Sequence, residues 1–410
     1  QRNNTNTCAR ETLMMHSDRG SPENNNSNSL VFVEAGFTAY QYLDQNHFKL
    51  ELEKIFYQNW IYACHTNQLT KKGQFFTFNI GDKNIILLRN SNNKFSAFLN
   101  VCRHRGSRLC NEERGVIKSK LLKCPYHQWA YDIDYGKLKG TTSFTEPRGF
   151  EKDNFSLIKV AVKEWRGCIF VNLSDQQSWD ENTIFQRSAV GVKNYPLEKM
   201  ILGKTWRKSI GCNWKLFWEN FNECLHCPNI HPELTKLVPL YSRRIVNRAD
   251  IPGWEANIDN NAPKFRGGLR EGAETWSLDG KSHGHTIAGL TDEEINRGQL
   301  YVTSLPSMFA GFYSDHVRIV RVLPISVDET ELVVEWLFEK KALDDANYDM
   351  NNVTEFACLV MQQDAKACEI NQKGLFSAPP DLQTVLMPEE YLILGLHNWI
   401  RNEMREPLSS

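Results

Sequence analysis

Two Cys–His pairs constrain this chain more than anything else in it. Cys102-Arg-His104 is followed, after 19 intervening residues, by Cys124-Pro-Tyr-His127. Ligands one or two residues apart fit the tip of a hairpin loop, and two facing loops bring four donors to one point. Two thiolates and two imidazoles satisfy tetrahedral zinc. They equally satisfy a two-iron, two-sulfur cluster in which both cysteines hold one iron and both histidines the other. Spacing alone leaves both readings open.

The residues around the pairs read as a small β domain over 72–165. Phe75-Phe-Thr-Phe78, Asn84-Ile-Ile-Leu-Leu88 and Phe95-Ser-Ala-Phe98 are short β-rich runs, parted by Gly81-Asp82 and Asn90-Ser-Asn-Asn93 as turns. Tyr131–Leu138 reads as a further hairpin and Trp165–Val171 as a closing strand. Cys110, between the ligand pairs, reads as a small buried hydrophobe, as do Cys64, Cys168, Cys212, Cys224 and Cys227. Asn100-Val-Cys102-Arg-His104-Arg-Gly106 and Cys124-Pro-Tyr-His127-Gln-Trp129 resemble the two binding loops of Rieske proteins. That resemblance implies the [2Fe–2S] cluster, since zinc has no reason to prefer those neighbours.

Composition narrows the function classes. Among 410 residues, 48 Lys and Arg balance 49 Asp and Glu for a net charge of −1, which argues against nucleic acid as a partner. No apolar run reaches eighteen residues, so no membrane span is expected. Eleven irregularly spaced cysteines favour a cytoplasmic, thiol-preserving compartment over a disulfide framework. Residues 1–30, rich in Asn and Ser without apolar periodicity, are expected to be a disordered tail. Residues 31–71 are expected to be a helical segment packed on a catalytic domain, with Phe48, Leu52, Ile55 and Phe56 at helical spacing.

A second site lies further on, in a domain expected over 166–410. In Asn213-Trp-Lys-Leu-Phe-Trp-Glu219-Asn-Phe-Asn-Glu223-Cys-Leu-His226-Cys-Pro-Asn-Ile-His231-Pro232, the spacing i, i+4, i+7 puts Glu219, Glu223 and His226 on one helical face. Pro228 and Pro232 end the helix and let His231 swing back beside His226. Two histidines plus one carboxylate leave positions open on a metal, as non-haem Fe(II) oxygenases require. Val317–Pro324 and Thr330–Phe338 alternate like long antiparallel strands, and His316 reads as a hydrogen-bonded core histidine.

With the Rieske-like loops upstream, this stretch resembles the α subunit of Rieske non-haem iron oxygenases, over roughly residues 35–405. The resemblance implies an α+β fold: a small β Rieske domain and a larger catalytic domain with a curved antiparallel sheet flanked by helices, of helix-grip type. It implies Cys102, His104, Cys124 and His127 on the cluster, and His226, His231 and Asp364 on a mononuclear Fe(II), with Glu369 as the runner-up carboxylate. It also implies O2 as co-substrate and NAD(P)H electrons from a separate flavin/iron–sulfur reductase. The family's homotrimer passes electrons from one subunit's cluster to its neighbour's iron, and its bridging carboxylate falls on Glu223.

Most family members have Asp at that position. Glu223 and the His-Cys-Pro-x-x-His-Pro-Glu-Leu text resemble the oxygenases of quaternary ammonium compounds such as glycine betaine, carnitine and stachydrine. A methylated ammonium accepts no hydrogen bond and is held by aromatic faces. Trp276, Tyr301, Phe309, Phe312 and Tyr313 are the candidate pocket residues. Oxidative N-demethylation is the expected reaction. The alternatives are hydroxylation, dioxygenation or O-demethylation of an aromatic or natural product, and a Rieske electron carrier without catalysis.

Overall fold

The computed structural model describes residues 30, 32–175, 178–185, 188–246 and 268–405. The chain divides into a smaller unit, Phe56–Trp179, and a larger one formed by the segments before and after it. Of the expected N-terminal tail, residues 1–29 lie outside the described residues, and Leu30 donates its backbone N–H to the Pro388 carbonyl. The first strand, β1 (Glu34–Thr38), belongs to the larger unit.

The smaller unit is all β. Strands β2 (Ile61–His65), β3 (Gln74–Ile80), β4 (Lys83–Arg89), β5 (Phe95–Leu99), β6 (Arg114–Val116), β7 (Leu121–Lys123), β8 (Ala130–Asp132), β9 (Leu138–Gly140), β10 (Lys159–Trp165) and β11 (Cys168–Asn172) make two antiparallel sheets. Their orders are β2-β11-β10-β5-β4-β3-β6 and β7-β8-β9. The expected turn at Gly81-Asp82 is present, with Ile80 opposite Lys83 and Gly81 at φ 54°. Phe75, Ile86, Leu88, Phe98, Leu122 and Tyr131 form part of the core.

Two boundaries differ from the sequence reading of 72–165. β2 pairs with β11, so the unit opens at Phe56 and closes at Trp179. Both strands are buried at every position, which erases the alternation that reveals a half-exposed strand. The expected single strand Trp165–Val171 is instead a hairpin. Arg166 at φ 50° and Gly167 at φ 86° form its turn, and Trp165 pairs with Cys168.

The larger unit is built on β12 (Ile201–Ile210), β13 (Gln299–Ser304), β14 (Met308–Tyr313), β15 (His316–Ser326) and β16 (Glu329–Phe338). They form a curved antiparallel sheet in the order β12-β16-β15-β14-β13. The expected strands 317–324 and 330–338 are the cores of β15 and β16. Helices Trp214–Phe221 and Met350–Phe376 pack on one face. Phe221 stacks on Phe309 at 4.0 Å between centroids, and Lys204 on β12 donates to Thr354 at 3.1 Å. A last strand, β17 (Gln383–Leu386), pairs with β1, and helix Tyr391–Met404 follows it.

A short helix Ala39–Leu43 is followed by Gln45–Glu51, and Leu52–Phe56 continues the latter with a wider π turn. Phe48, Leu52, Ile55 and Phe56 are buried as expected. Its last residue, Glu51, takes Lys215 Nζ at 2.5 Å and Trp214 Nε1 at 2.8 Å, which anchors the start of the Trp214–Phe221 helix. Among the described residues no helix is long and apolar enough to cross a membrane.

Two candidate metal centres

The helix Trp214–Phe221 starts where Asn213 caps it, its side chain accepting from Lys215 N, and stops at Asn222. Glu223 and His226 therefore lie in the following turn and not on the helical face that the i, i+4, i+7 spacing suggested. The Asn222 amide donates to the Trp218 carbonyl at 2.8 Å and closes the helix early. Glu219 is spoken for elsewhere, accepting from Tyr42 Oη at 2.7 Å and paired with His397 at 2.8 Å.

The turn brings the ligands together by other means. Glu223 Oε2 accepts from the backbone N–H of Leu225 and, at 3.3 Å, of His226, while its Oε1 holds His226 Nδ1. Pro228 lies in the first turn of the short helix Cys227–Ile230, and Pro232 starts the next, Pro232–Leu237. His231, between them, has its ring 5.1 Å from that of His226. Cys224 and Cys227 read as lone buried thiols in the sequence; they are buried, and a disulfide joins them across this turn. The Cys-x-x-Cys spacing was the overlooked signal.

Asp364 comes from the middle of the Met350–Phe376 helix. Its Oδ1 lies 2.8 Å from His231 Nε2 and 3.4 Å from His226 Nε2. One donor atom from each of His226, His231 and Asp364 lies within 4.8 Å of the others. Donors about 2.1 Å from one ion and at right angles to each other lie about 3 Å apart, so the two distances to Asp364 Oδ1 suit neighbouring ligands of one ion. Each imidazole is turned by its other nitrogen: His226 Nδ1 meets Glu223, and His231 Nδ1 meets Gln363 Oε1 at 2.8 Å. Both Nε2 atoms are thereby aimed at Asp364.

Electrostatics agree. Burial opposes a charge on His226, but its bonds to Asp364 and Glu223 prevail and raise it to about 9. Burial likewise opposes the Asp364 carboxylate, and the two imidazoles still hold it below its ordinary value. The cluster thus attracts positive charge at the point where the donors converge. A cleft of about 300 Å3 opens on Glu223, His226 and Asn220.

In the smaller unit the two ligand loops share one hydrogen-bonding pattern. Cys102 N donates to Ser107 O and Gly106 N to Cys102 O; Cys124 N donates to Trp129 O and Gln128 N to Cys124 O. Gly106 at φ 74° and Gln128 at φ 58° make the reversals. Asn100 ties the first loop down, accepting from Leu109 N and Cys110 N at 2.9 Å each. Cys102 and Cys124 are buried, while His104 is exposed and half-buried His127 stands beside it, their rings 4.7 Å apart.

Burial opposes the Cys124 thiolate, but N–H groups of Tyr126 and His127 and the Cys102 thiol bring it below its ordinary value. Tyr131 Oη lies 3.2 Å from Cys102 Sγ. This set fits a cluster with one iron inside on sulfur and one outside on nitrogen. Burial pushes Cys110 up to about 12, so that thiol is inert.

Of the expected pocket residues, Trp276, Tyr301, Phe309 and Tyr313 share the helix-covered face of the larger sheet. Trp276 lies 5.6 Å from Tyr313, and the Tyr301 and Tyr313 hydroxyls are 3.2 Å apart. Phe312 does not join them. Strand alternation turns it to the opposite face, edge-on to Tyr195. Glu369, the runner-up ligand, accepts from Gly211 N and stays outside the cluster. His316 is buried and bonded to Asp315 at 2.7 Å, a core histidine as expected. Sequence reasoning missed Gln363, Tyr131 and Arg318, which carry no motif; their roles arise from contacts distant in sequence.

Both units match known protein families. Residues 197–406 match the family model for the ring-hydroxylating α subunit catalytic domain, and residues 59–157 that for the Rieske [2Fe–2S] domain. The chain belongs to the Rieske ring-hydroxylating oxygenase family. It is an oxidoreductase of Rieske monooxygenase type, with a [2Fe–2S] cluster, a mononuclear iron and O2 as co-substrate.

Among individual proteins, it is 30% identical over 383 residues to a glycine betaine monooxygenase oxygenase subunit of Pseudomonas aeruginosa, covering 88% of this chain and 87% of that one. It is 26% identical to the chloroplastic choline monooxygenase of Beta vulgaris, covering 89% and 76%. The fold matches the quaternary ammonium Rieske monooxygenase CntA in complex with gamma-butyrobetaine, with a TM-score of 0.68, 19% identity, and 91% and 96% coverage.

Proposed function

We propose that this chain is the terminal oxygenase of a quaternary ammonium monooxygenase and removes an N-methyl group from its substrate. The observation that carries the reading is the convergence of His226 Nε2, His231 Nε2 and Asp364 Oδ1, each imidazole locked by a separate bond at Nδ1. These three residues would hold Fe(II), which when bound supplies reductive activation of O2. Cys102, His104, Cys124 and His127 would hold the cluster and receive electrons from a separate reductase that oxidises NAD(P)H.

The substrate class rests on the relatives named above and on the aromatic face of Trp276, Tyr301, Phe309 and Tyr313, which suits a methylated cation. Hydroxylation of an N-methyl carbon consumes O2, two electrons and two protons and yields water. The N-hydroxymethyl group then leaves as formaldehyde, its N–C bond pair returning to nitrogen and a proton being released. Glu223, open to the cleft beside His226, would take a cluster histidine of a neighbouring subunit as its second partner, in a homotrimer.

Reconstituted holoprotein with reductase and NADH, supplied with glycine betaine, carnitine or stachydrine, tests this. Stoichiometric formaldehyde and three irons per chain are expected. Two irons per chain, or turnover of aromatic acids with none of the quaternary amines, overturns it. Glu223→Gln should leave both metal sites loaded and slow the transfer between them; an unchanged single-turnover rate removes Glu223 from the path.

A further inference from the structure

Among the described residues three Lys or Arg side chains are buried: Lys215, Arg318 and Arg321. Two have carboxylate partners, Glu51 for Lys215 and Glu331 for Arg321 at 3.1 Å. Arg318, 4% exposed, has none. Its side chain makes a 3.4 Å bond to Tyr301 Oη and lies over the faces of Trp276 and Tyr313, whose centroids are 5.6 and 5.8 Å from its guanidinium carbon. Its Nε–H has no acceptor, and neither has the indole N–H of Trp276. Ring faces favour a cation but accept no strong hydrogen bond in the guanidinium plane. A buried charge left this way is costly unless a partner arrives.

The sheet builds this place deliberately. Tyr301, Gly311, Arg318 and Trp336 are direct cross-strand neighbours on β13, β14, β15 and β16. In the middle of that row Gly311 has no side chain, and a Cβ there would lie 2.6 Å from Tyr313 Oη. The glycine lets the Tyr313 ring lie across β14 and meet Tyr301, which in turn meets Arg318. The row is on the face covered by the helix that carries Asp364, and the Asp364 charge is among those that Arg318 feels. Asp364 itself is committed to His226 and His231.

We propose that Arg318 is the specificity-determining residue of the pocket and pairs with a carboxylate on the substrate. This rests on the quaternary ammonium reading and sharpens it: the substrate is an amino-acid betaine, its carboxylate on Arg318 and its methylated nitrogen toward the iron ligands. A quaternary cation without a carboxylate, such as choline, meets an unneutralised guanidinium and is rejected. Specificity then comes from repulsion as well as attraction.

The test is calorimetric binding to anaerobic holoprotein with three probes: glycine betaine, choline, and 3,3-dimethylbutanoate, which keeps the carboxylate and replaces the charged nitrogen by carbon. The native protein should bind glycine betaine at least about 30-fold more tightly than choline. Arg318→Gln should weaken glycine betaine and 3,3-dimethylbutanoate about 30-fold or more, ~2 kcal/mol, and reduce the gap to choline. Arg318→Lys, which keeps the charge, should preserve the order of the probes and covers the chance that the glutamine variant misfolds; cluster absorbance and melting temperature report integrity.

Equal binding of choline and glycine betaine, unchanged in either variant, overturns the assignment and leaves the quaternary ammonium reading intact. Arg318-dependent binding of 3,3-dimethylbutanoate without binding of either amine overturns that reading and supports Arg318 as a carboxylate anchor.

Discussion

Gln363 is a residue whose loss should be read directly in iron affinity. Its Nε2 donates to Glu233 Oε2 at 2.9 Å, and Glu233, held below its ordinary value chiefly by that bond, is an acceptor only. The amide orientation follows: its oxygen faces His231, so Nδ1 carries the proton and Nε2 presents a lone pair beside Asp364. His231 is 1% exposed, so its ring has little access to water. In Gln363→Leu the ring must either bury an unsatisfied N–H, costing about 1–3 kcal/mol, or move its proton to the nitrogen that the metal needs. Both routes weaken the site, and losses of this kind run about 10–100-fold in metal affinity, ~1.4–2.8 kcal/mol. Anaerobic Fe(II) titration of protein stripped of its mononuclear iron measures it, and the visible spectrum of the cluster serves as an internal control. Gln363→Glu combined with Glu233→Gln, which keeps an acceptor for Nδ1–H and a donor between positions 233 and 363, should restore binding. Leucine affinity within twofold of native would refute the tautomer argument.

Two further perturbations test the framework. Glu51→Gln leaves Lys215 buried beside a neutral partner and should destabilise the larger unit by about 3–5 kcal/mol, read as a fall in melting temperature; adding Lys215→Met should recover part of the loss. Tyr131→Phe removes the hydroxyl beside Cys102 Sγ, whose hydrogen bond stabilises extra negative charge on the cluster, so redox titration should show a lower reduction potential with iron and sulfide content unchanged.

The sequence was most legible where ligands sit close together in the chain. Cys102 to His104 and Cys124 to His127 span one loop each, so spacing singles out these four as candidate donors, and the structure adds the shared turn pattern. The two histidines of the larger unit were readable for the same reason, through Pro228 and Pro232. What failed was extrapolation of a helix through Glu223: periodicity cannot see that Asn222 closes the helix with its own side chain. Phe312 was misplaced because an aromatic-rich strand does not announce which parity faces the helices; that is set by pairing, Tyr301 with Gly311 and Gly311 with Arg318. Arg318 and Gln363 were invisible, since an unpaired buried charge and an imidazole acceptor are defined only once distant segments meet.

Glu223 separates reach from charge, and the two can be told apart. One carboxylate oxygen accepts the Leu225 and His226 backbone N–H groups while the other holds His226 Nδ1. Glu223→Asp withdraws the carboxylate by about one bond, ~1.5 Å. Aspartate still accepts nearby backbone amides, as Asx turns do, but its second oxygen then falls short of the ring. His226 should lose its fixed orientation and the iron about tenfold in affinity. Glu223→Gln keeps the reach and, with its amide oxygen on Nδ1–H, an acceptor for the ring, so it should retain iron while losing the two backbone bonds of the turn and the charge that assists electron transfer. Iron content after dialysis against a chelator should therefore rank native and glutamine together above aspartate. An aspartate variant that holds iron as well as native would show that the turn, and not the length of this side chain, positions His226.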